Sequence, residues 1–323
     1  MTSGERRPRA PGGGRRWLRR TVTAVVLVGS IAFLVSSFTG GSTDVTAAVR
    51  RVGPWLLVAE VPVLVGLWVT ALAWREPLQH VSVPLSRAQA VQLFAAGQLG
   101  KYVPGVMWSI LLQARLAEAA GITMAQIAAA FGVYAAVSVV TGAAIGLPAA
   151  VLGAAGPLVA VLAAVAAGAV LAVTPVLLTG AIGLARRVPA IGRRLTTVPR
   201  VTLRRSVLFN TASWLISGAH LWVLALALGA DWRSSLIPCL GGFALSTALG
   251  SLVVVVPDGI GVRESVLALA LTSCLPSTEA AVVALASRLL LASADILAFG
   301  YGTWAKRRTY RPLAVRHTIG DLP

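Results

Sequence analysis

Residues 257–264 read PDGIGVRE and interrupt a hydrophobic stretch that extends over Ser234–Cys274. A second break, GKYVPG at residues 100–105, interrupts the hydrophobic stretch Ser86–Ala119. Proline removes a backbone donor and glycine frees φ, so each break should end a helix and leave backbone N–H and C=O groups unpaired. In lipid such groups are tolerated only where protein or water covers them. Each stretch is therefore predicted to form a re-entrant helical hairpin, which enters the membrane and returns on the same side.

The rest of the chain is dominated by apolar segments. Hydrophobic residues make up 57% of the 323 residues and charged residues only 12%, about half the charged fraction of a soluble domain. Six uninterrupted segments approach the roughly 20 residues that a transmembrane helix needs. They are Thr21–Phe38, Gly53–Trp74, Ala125–Leu152, Pro157–Ile182, Ser206–Leu228 and Ala280–Trp304. We therefore predict an all-α, polytopic membrane bundle of about six transmembrane helices plus two re-entrant hairpins.

The net charge of +17 comes from 28 Lys+Arg against 11 Asp+Glu, and most of it lies just outside apolar segments. Dense basic clusters occur within residues 1–20, 186–205 and 306–316. This positive-inside pattern sets orientation and attracts anionic lipid headgroups, and it argues against nucleic acid as the partner. Counting crossings places all three clusters on one side. We expect a multi-pass protein of the plasma membrane, with cytoplasmic tails at 1–20 and 305–323 around a membrane domain at 21–304.

The charge pattern leaves one question of topology open. If both arms of each broken stretch crossed the membrane completely, the chain would have ten transmembrane helices, and the basic clusters would still lie on one side. Charge therefore cannot distinguish ten helices from six helices plus two hairpins. The two breaks also share an order of features, because each is followed by a half-helix with an arginine and a glutamate, a loop and a full helix. Three crossings between the breaks make the stretches enter from opposite faces, which favours the inverted-repeat plan of secondary transporters. Two independently broken helices are the alternative.

Ionisable residues at membrane depth are the candidates for function, since each costs roughly 2.5–3.5 kcal/mol at a helix centre. They are Glu60, Lys101, Arg115, Glu118, Asp258, Arg263, Glu264, Arg288 and Asp295. The half-helix after Gly261 offers N–H groups and a partial positive charge to an anion, and the planar fork of Arg263 suits a phosphodiester. Glu264 is expected to orient or neutralise Arg263. Arg115 and Glu118 fit a position near the interface better than one in the interior, and Arg288 with Asp295 could be a structural pair.

A headgroup site is predicted where the two breaks and the last helix meet. Its candidate residues are Lys101, Tyr102, Pro104, Gly105, Trp108, Arg115, Pro257, Asp258, Gly259, Gly261, Arg263, Glu264, Arg288 and Asp295. Enzyme signatures are sparse, because the three histidines and two cysteines lack metal spacing and no Asp-x-Asp pair occurs. We expect no catalytic residues, no metal and no cofactor. Gly142 and Gly146 form a small-xxx-small motif, which we interpret as packing within the bundle.

GKYVPGVMW at residues 100–108, followed by Arg115, and PDGIGVRE at residues 257–264 resemble the lysylphosphatidylglycerol synthase transmembrane-region family of flippase-like membrane proteins. The resemblance covers most of the chain after the first helix. It implies re-entrant helices around a lipid-sized cavity and the movement of aminoacylated phospholipid or other lipid-linked cargo between leaflets. Asp258 departs from the pattern, which has a glycine or small residue there. Full-length synthases carry a C-terminal soluble domain; this chain ends at Pro323, so synthase activity is expected to be absent.

The leading hypothesis is a flippase or transporter for a phospholipid or polyprenyl-phosphate-linked cargo. One alternative is a membrane-embedded transferase acting on a polyprenyl-phosphate sugar, with Asp258 or Glu264 as base. Another is a non-catalytic partner that positions an envelope-synthesis enzyme.

Overall fold

A computed structural model describes residues 45–82, 84–103, 107–152, 157–187, 197–253 and 257–309. Within these ranges every regular element is a helix, which confirms the predicted fold class. Five helical segments are long and apolar enough to cross a membrane. They are Val45–Val81, Met124–Ala150, Val161–Ala185, Arg200–Ala227 and Ser277–Ala305. The predicted first helix, Thr21–Phe38, and the N-terminal tail lie outside the described residues.

The described residues form ten α-helices. In chain order these are α1 Val45–Val52, α2 Leu56–Val81, α3 Arg87–Gly100, α4 Met107–Ala117, α5 Met124–Leu152, α6 Pro157–Ala185, α7 Arg200–Ala227, α8 Leu236–Leu252, α9 Val262–Leu271 and α10 Ser277–Thr309. Short 3₁₀ turns cover Gly53–Trp55, Glu118–Ala120 and Pro257–Gly259.

The first interrupted stretch folds back on itself, and we call α3 and α4 hairpin 1. Gly100 approaches Ser109 so closely that a Cβ at Gly100 would lie 2.7 Å from the Ser109 Cα. Further from the break, Gly97 lies against the side chain of Gln113. Both contacts join residues at about equal distances from the break, so the two arms are antiparallel. Pro104 and Gly105, at the centre of the break, lie outside the described residues.

The second interrupted stretch is also a hairpin, and we call α8 and α9 hairpin 2. Gly250 lies beside Arg263 near the tip, and Gly242 faces Ala270 nearer the base. The longest arm of either hairpin, α8, has 17 residues and is about 26 Å long, less than the roughly 30 Å of a hydrocarbon core. The hairpins are therefore features of the structure, whereas their re-entry into a membrane stays a prediction.

The hairpins begin at opposite ends of the bundle. Hairpin 1 follows the C-terminal end of α2, where Gln126 at the start of α5 donates to the Val81 carbonyl and His80 contacts the Thr197 carbonyl at 2.9 Å. We call this the basic end, because arginines at the end of α6 and the start of α7 are exposed there. Hairpin 2 begins after α7 has run to the other end, where Arg51 pairs with Glu279 at 3.5 Å. The tips of the two hairpins consequently point toward each other.

The centre of the bundle is the packed pair α2 and α7, and a buried hydrogen bond there compensates for a proline. Pro77 lies inside α2 and has no N–H for the carbonyl of Ala73 four residues before it. Ser206 of α7 donates its hydroxyl to that carbonyl at 2.9 Å. The helix therefore continues through Pro77 without leaving a buried acceptor unpaired.

The small-xxx-small motif of α5 packs within the chain. A Cβ at Gly142 would lie 2.9 Å from the Ala248 Cβ, and a Cβ at Gly146 would lie 2.7 Å from the Leu245 backbone nitrogen. Both partners belong to α8. The motif thus brings α5 into close contact with hairpin 2, as interpreted from the sequence.

Several helices extend beyond their predicted limits, and α2 and α7 do so by more than a turn at one end. The predicted segment Gly53–Trp74 is preceded by α1 and continues to Val81, where Arg75 donates to the Leu85 carbonyl and the Gln79 side-chain oxygen accepts from Arg75. The helix predicted from Ser206 begins at Arg200. Hydropathy predicts only the apolar part of a helix, which lies in the lipid. The helix itself can continue into the interface where its polar side chains have hydrogen-bond partners.

Candidate functional site

The tip of hairpin 1 contacts both hairpin 2 and α10 through Lys101, the C-cap residue of α3. Lys101 Nζ lies 2.8 Å from Asp295 Oδ2 on α10 and 3.9 Å from Asp258 Oδ1 on hairpin 2. It also donates to Gln98 Oε1 at 3.0 Å. Tyr102, the next residue, donates its hydroxyl to Asp295 at 2.8 Å. The tips of two hairpins that begin at opposite ends of the bundle therefore meet beside α10.

Asp258 lies at the tip of hairpin 2, and two arginines also approach its carboxylate. Asp258 Oδ2 is 3.8 Å from Arg263 Nη1 and 3.6 Å from Arg288 Nη2. The backbone of Asp258 has φ 48°, in the left-handed region, and Asp258 is the one non-glycine residue in the described part of the chain with positive φ. An L-residue held there stores conformational strain. The turn that follows contains Gly259 and Gly261, both with positive φ.

Glu264 closes part of the helix N-terminus that the sequence predicted as an anion site. Its Oε2 accepts from the Gly261 N–H at 2.6 Å, and its other oxygen accepts from Arg288. Glu264 was expected to orient or neutralise Arg263. Arg263 instead contacts Asp258 and lies over the ring of Phe243, 5.5 Å from its centroid.

Arg288 and Asp295 pair with the hairpins instead of with each other. Seven residues separate them, which places them on one face of α10 and about 10 Å apart along its axis. Arg288 binds Glu264 and Asp258 of hairpin 2, and Asp295 binds Lys101 of hairpin 1. Helix α10 thus presents one charge to each hairpin.

We call Lys101, Asp258, Arg263, Glu264, Arg288 and Asp295 the charged cluster. Their side chains are between 2% and 23% exposed. Three cations face three acids, so the formal charges of this cluster sum to zero. Pairing of this kind is what allows ionisable groups to exist at membrane depth.

A cavity of about 630 Å³ opens beside the charged cluster. Lys101, Asp258 and Arg263 line its polar side, together with Gly259. The larger part of the lining is apolar and belongs mainly to α5, with one residue from α7. It includes Phe131, Tyr134, Ala135, Ala136, Val139, Val140 and Trp214. The space is therefore amphipathic, with charges at the hairpin tips and aromatic and aliphatic side chains along α5.

Comparison with known families identifies the chain. The family model described as lysylphosphatidylglycerol synthase TM region matches residues 21–297. The chain belongs to the lysylphosphatidylglycerol synthase TM region family. Both hairpins, and Arg288 and Asp295 of α10, fall inside the matched range in this family member. A search of curated proteins found no match.

Three buried polar atoms in the cavity wall of this family member have no hydrogen-bond partner among the described residues. They are Gln113 Oε1, Thr247 Oγ1 and Arg263 Nη2. Gln113 is only 1% exposed, and a buried polar group without a partner costs about 1–3 kcal/mol. Among the described residues, one acceptor, one donor and one hydroxyl of cavity-lining side chains are therefore left without a partner.

The structure brings some predicted site residues to the cavity and leaves others elsewhere. Lys101, Asp258, Gly259 and Arg263 line it, and Tyr102, Gly261, Glu264, Arg288 and Asp295 take part in the hydrogen bonds and ion pairs beside it. Pro257 begins the 3₁₀ turn at the tip of hairpin 2. Trp108 and Arg115 are exposed on α4 and are not among the residues that line this cavity.

Gln113, Thr247 and Tyr134 line the cavity but were not predicted from the sequence. Gln113 could have been noticed in the sequence, because it is an amide in a largely apolar half-helix. No feature of the sequence singles out Thr247 or Tyr134. Glu60, which was predicted at membrane depth, accepts from Ser293 of α10 at 3.0 Å. In the described part of the chain no three His, Cys, Asp or Glu side chains are placed to hold a metal ion. The expectation that no metal or cofactor is needed stays a prediction.

Proposed function

We propose that the protein moves a phosphate-containing membrane lipid between the two leaflets, as a flippase or transporter. The observation that carries this proposal is the position of Lys101 and Arg263. They come from hairpins that begin at opposite ends of the bundle, and they line one cavity. A site reached by one element from each side is the arrangement expected for alternating access.

The amphipathic lining supports a lipid over a small hydrophilic solute. The charged side of the cavity offers cations for a phosphate, and the guanidinium of Arg263 presents a free Nη2. The apolar wall on α5 would face acyl or prenyl chains without a desolvation cost. A sugar or a metal ion would leave that wall without a matching surface.

In this proposal the charged cluster holds the hairpin tips together when the cavity is empty. A headgroup that binds Lys101 and Arg263 competes with Asp258 and Asp295 for the same cations. Weaker contacts between the tips would let one hairpin move relative to α10 and open the cavity to one leaflet. The chain contains no ATP-binding loop, so transport is downhill or driven by a gradient.

We further propose a plasma-membrane location with the basic end in the cytoplasm. Arg186, Arg187, Arg200 and Arg204 are exposed at that end. Anionic headgroups of the cytoplasmic leaflet attract such residues by about 1 kcal/mol each. The N- and C-terminal tails would then also be cytoplasmic, and a partner from envelope synthesis would approach from either side.

Translocation of a labelled phospholipid in proteoliposomes tests the proposal. The protein should accelerate loss of outer-leaflet label above that of empty liposomes, and Lys101→Ala and Arg263→Ala should reduce the rate at least about tenfold if each removes one charge-assisted contact. Arg115→Ala is the matched control, because it removes an exposed arginine that does not line the cavity. Thermal unfolding of each variant separates loss of function from loss of fold.

Activity that is unchanged in both cavity variants would overturn the proposed site. Turnover of a lipid-linked donor by the protein alone would support the transferase alternative instead. Inactivity in both assays, together with co-purification of an envelope-synthesis enzyme, would support the partner role.

A further inference from the structure

Asp258 differs from the other acids of the charged cluster in how firmly it is held. Asp295 is bound by Lys101 and Tyr102 at 2.8 Å each, and Glu264 by the Gly261 N–H at 2.6 Å and by Arg288. The three cations near Asp258 stay 3.6–3.9 Å from its carboxylate. These separations are longer than direct hydrogen bonds. Asp258 is therefore the acid that a ligand can most easily displace or engage.

Two further observations single out Asp258. It lines the cavity, whereas Glu264 and Asp295 are not among its lining residues. Its backbone adopts φ 48°, which a glycine would adopt without strain. The carboxylate is thus kept at this point despite a conformational cost, which indicates a role for the side chain.

From these observations we infer that Asp258 determines headgroup selectivity, because its carboxylate pairs with a positively charged group of the lipid while Arg263 and Lys101 bind the phosphate. The site would then take a zwitterionic phospholipid headgroup, with one phosphodiester and one ammonium, in preference to a net anionic one. This inference rests on the proposed function, since it assigns the substrate class of the same cavity.

Charge balance is the main argument for the zwitterion. The charged cluster sums to zero with Asp258 ionised, so a net anionic headgroup would leave one buried charge uncompensated. A headgroup with one phosphate and one ammonium adds no net charge. Removal of the Asp258 carboxylate would leave the cluster at +1, which matches a singly anionic headgroup.

The unpartnered atoms of the wall fit the same ligand. Arg263 Nη2 is a free donor, suited to a phosphate oxygen. Gln113 Oε1 is a free acceptor, suited to an ammonium N–H. An anionic headgroup that carries only hydroxyls could donate to Gln113, but it would offer Asp258 no positive partner.

Equilibrium binding tests this inference separately from transport. Purified protein in detergent is titrated with short-chain phosphatidylethanolamine and, in parallel, with short-chain phosphatidylglycerol of the same acyl length. Both carry one phosphodiester, and only the first carries an ammonium. The unmodified protein should bind phosphatidylethanolamine about tenfold or more tightly than phosphatidylglycerol, the size expected for one poorly solvated charge contact.

Asp258→Asn keeps the size of the side chain and removes its charge, so the preference should fall to parity or reverse. Asp258→Gly also removes the carboxylate, and glycine adopts φ 48° without strain. This second variant therefore tests the role of the charge if the amide variant folds poorly. Glu118→Gln is the matched control, because it changes the net charge by the same amount at an exposed position after α4. The control should keep the original preference.

Each outcome separates the two proposals. An equal preference in the unmodified protein and in Asp258→Asn, or a preference of the unmodified protein for phosphatidylglycerol, overturns the inference and leaves the proposed function standing. Failure of the unmodified protein to bind either lipid overturns the inference and contradicts the headgroup site itself.

Discussion

Lys101 Nζ of hairpin 1 and Asp295 Oδ2 of α10 lie 2.8 Å apart, and the Asp295 side chain is only 2% exposed. Lys101→Ala would leave that carboxylate buried with Tyr102 as its remaining close partner. We expect this variant to lose about 3–5 kcal/mol of unfolding free energy, the usual cost of breaking a buried pair from one side. The measurement is denaturant or thermal unfolding of purified protein in detergent.

The double variant Lys101→Ala with Asp295→Asn should recover part of that loss, because no unpaired charge remains. Arg51→Ala provides a comparison, since Arg51 pairs with Glu279 at 3.5 Å while 48% exposed. An exposed pair of this kind should contribute about 1 kcal/mol or less. Equal losses in Arg51→Ala and Lys101→Ala would contradict the buried role of the Lys101–Asp295 pair.

Ser206→Ala should destabilise the protein because it removes the donor to the Ala73 carbonyl that Pro77 leaves unpaired. The expected loss is about 1–3 kcal/mol for a buried acceptor without a partner. In a Pro77→Ala background the restored N–H can bond Ala73 within α2, so Ser206→Ala should then cost much less. A double-mutant cycle by thermal unfolding measures the difference, and additive losses would rule out the compensation.

Gly146→Ala should lower stability because its Cβ would lie 2.7 Å from the Leu245 backbone nitrogen of α8. Overpacking of this kind costs about 1–3 kcal/mol. Gly168→Ala is the matched control on α6, where an added Cβ would meet nothing within 4 Å. The control should be neutral or stabilising by up to about 1 kcal/mol, since alanine favours helix more than glycine does. Similar effects of both substitutions would argue against close packing of α5 on α8.

Thr141→Val should destabilise the contact between α5 and α7. The Thr141 hydroxyl accepts from Asn210 Nδ2 at 2.7 Å and from Trp214 Nε1 at 3.0 Å. Valine would leave both buried donors unpaired, at a cost of about 1–3 kcal/mol. Thr141→Ser retains the hydroxyl and should stay close to the unmodified protein. Trp214 also lines the cavity, so its fluorescence should shift in the valine variant only.

The hairpins could be predicted from the sequence because the chemistry that ends a helix is local. Proline and glycine occur together at residues 100–105 and 257–261, and α3 and α8 end at or before these breaks. The single Pro77 is tolerated within α2 because Ser206 donates to the carbonyl that it leaves unpaired. The five long helices could be predicted for a similar reason, since hydropathy over about 20 residues depends on composition alone. Helix ends at Arg200 and Val81 could not, because they depend on side-chain partners from other elements.

The ion pairs could not be predicted, because they depend on which helix faces lie together. Arg288 and Asp295 share a face of α10, but the hairpin that approaches each of them follows from tertiary packing. In hairpin 1, too, the sequence did not show which face of a helix would be buried. Arg115 was predicted at the site and is exposed, whereas Gln113, two residues earlier, is buried in the cavity wall. Two residues correspond to about 200° of rotation, and the sequence does not specify the rotation of α4 after the break.

The division of the charged cluster between the two hairpins and α10 has an electrical consequence. Moving one elementary charge across a membrane potential of 100 mV takes about 2.3 kcal/mol. Hairpin 1 carries one positive charge of the cluster, Lys101, and hairpin 2 carries a net negative one, whereas the two charges of α10 cancel. In the proposed cycle, movement of one hairpin relative to α10 would carry about one elementary charge through part of the potential, so its rate should differ between an energised and a de-energised membrane.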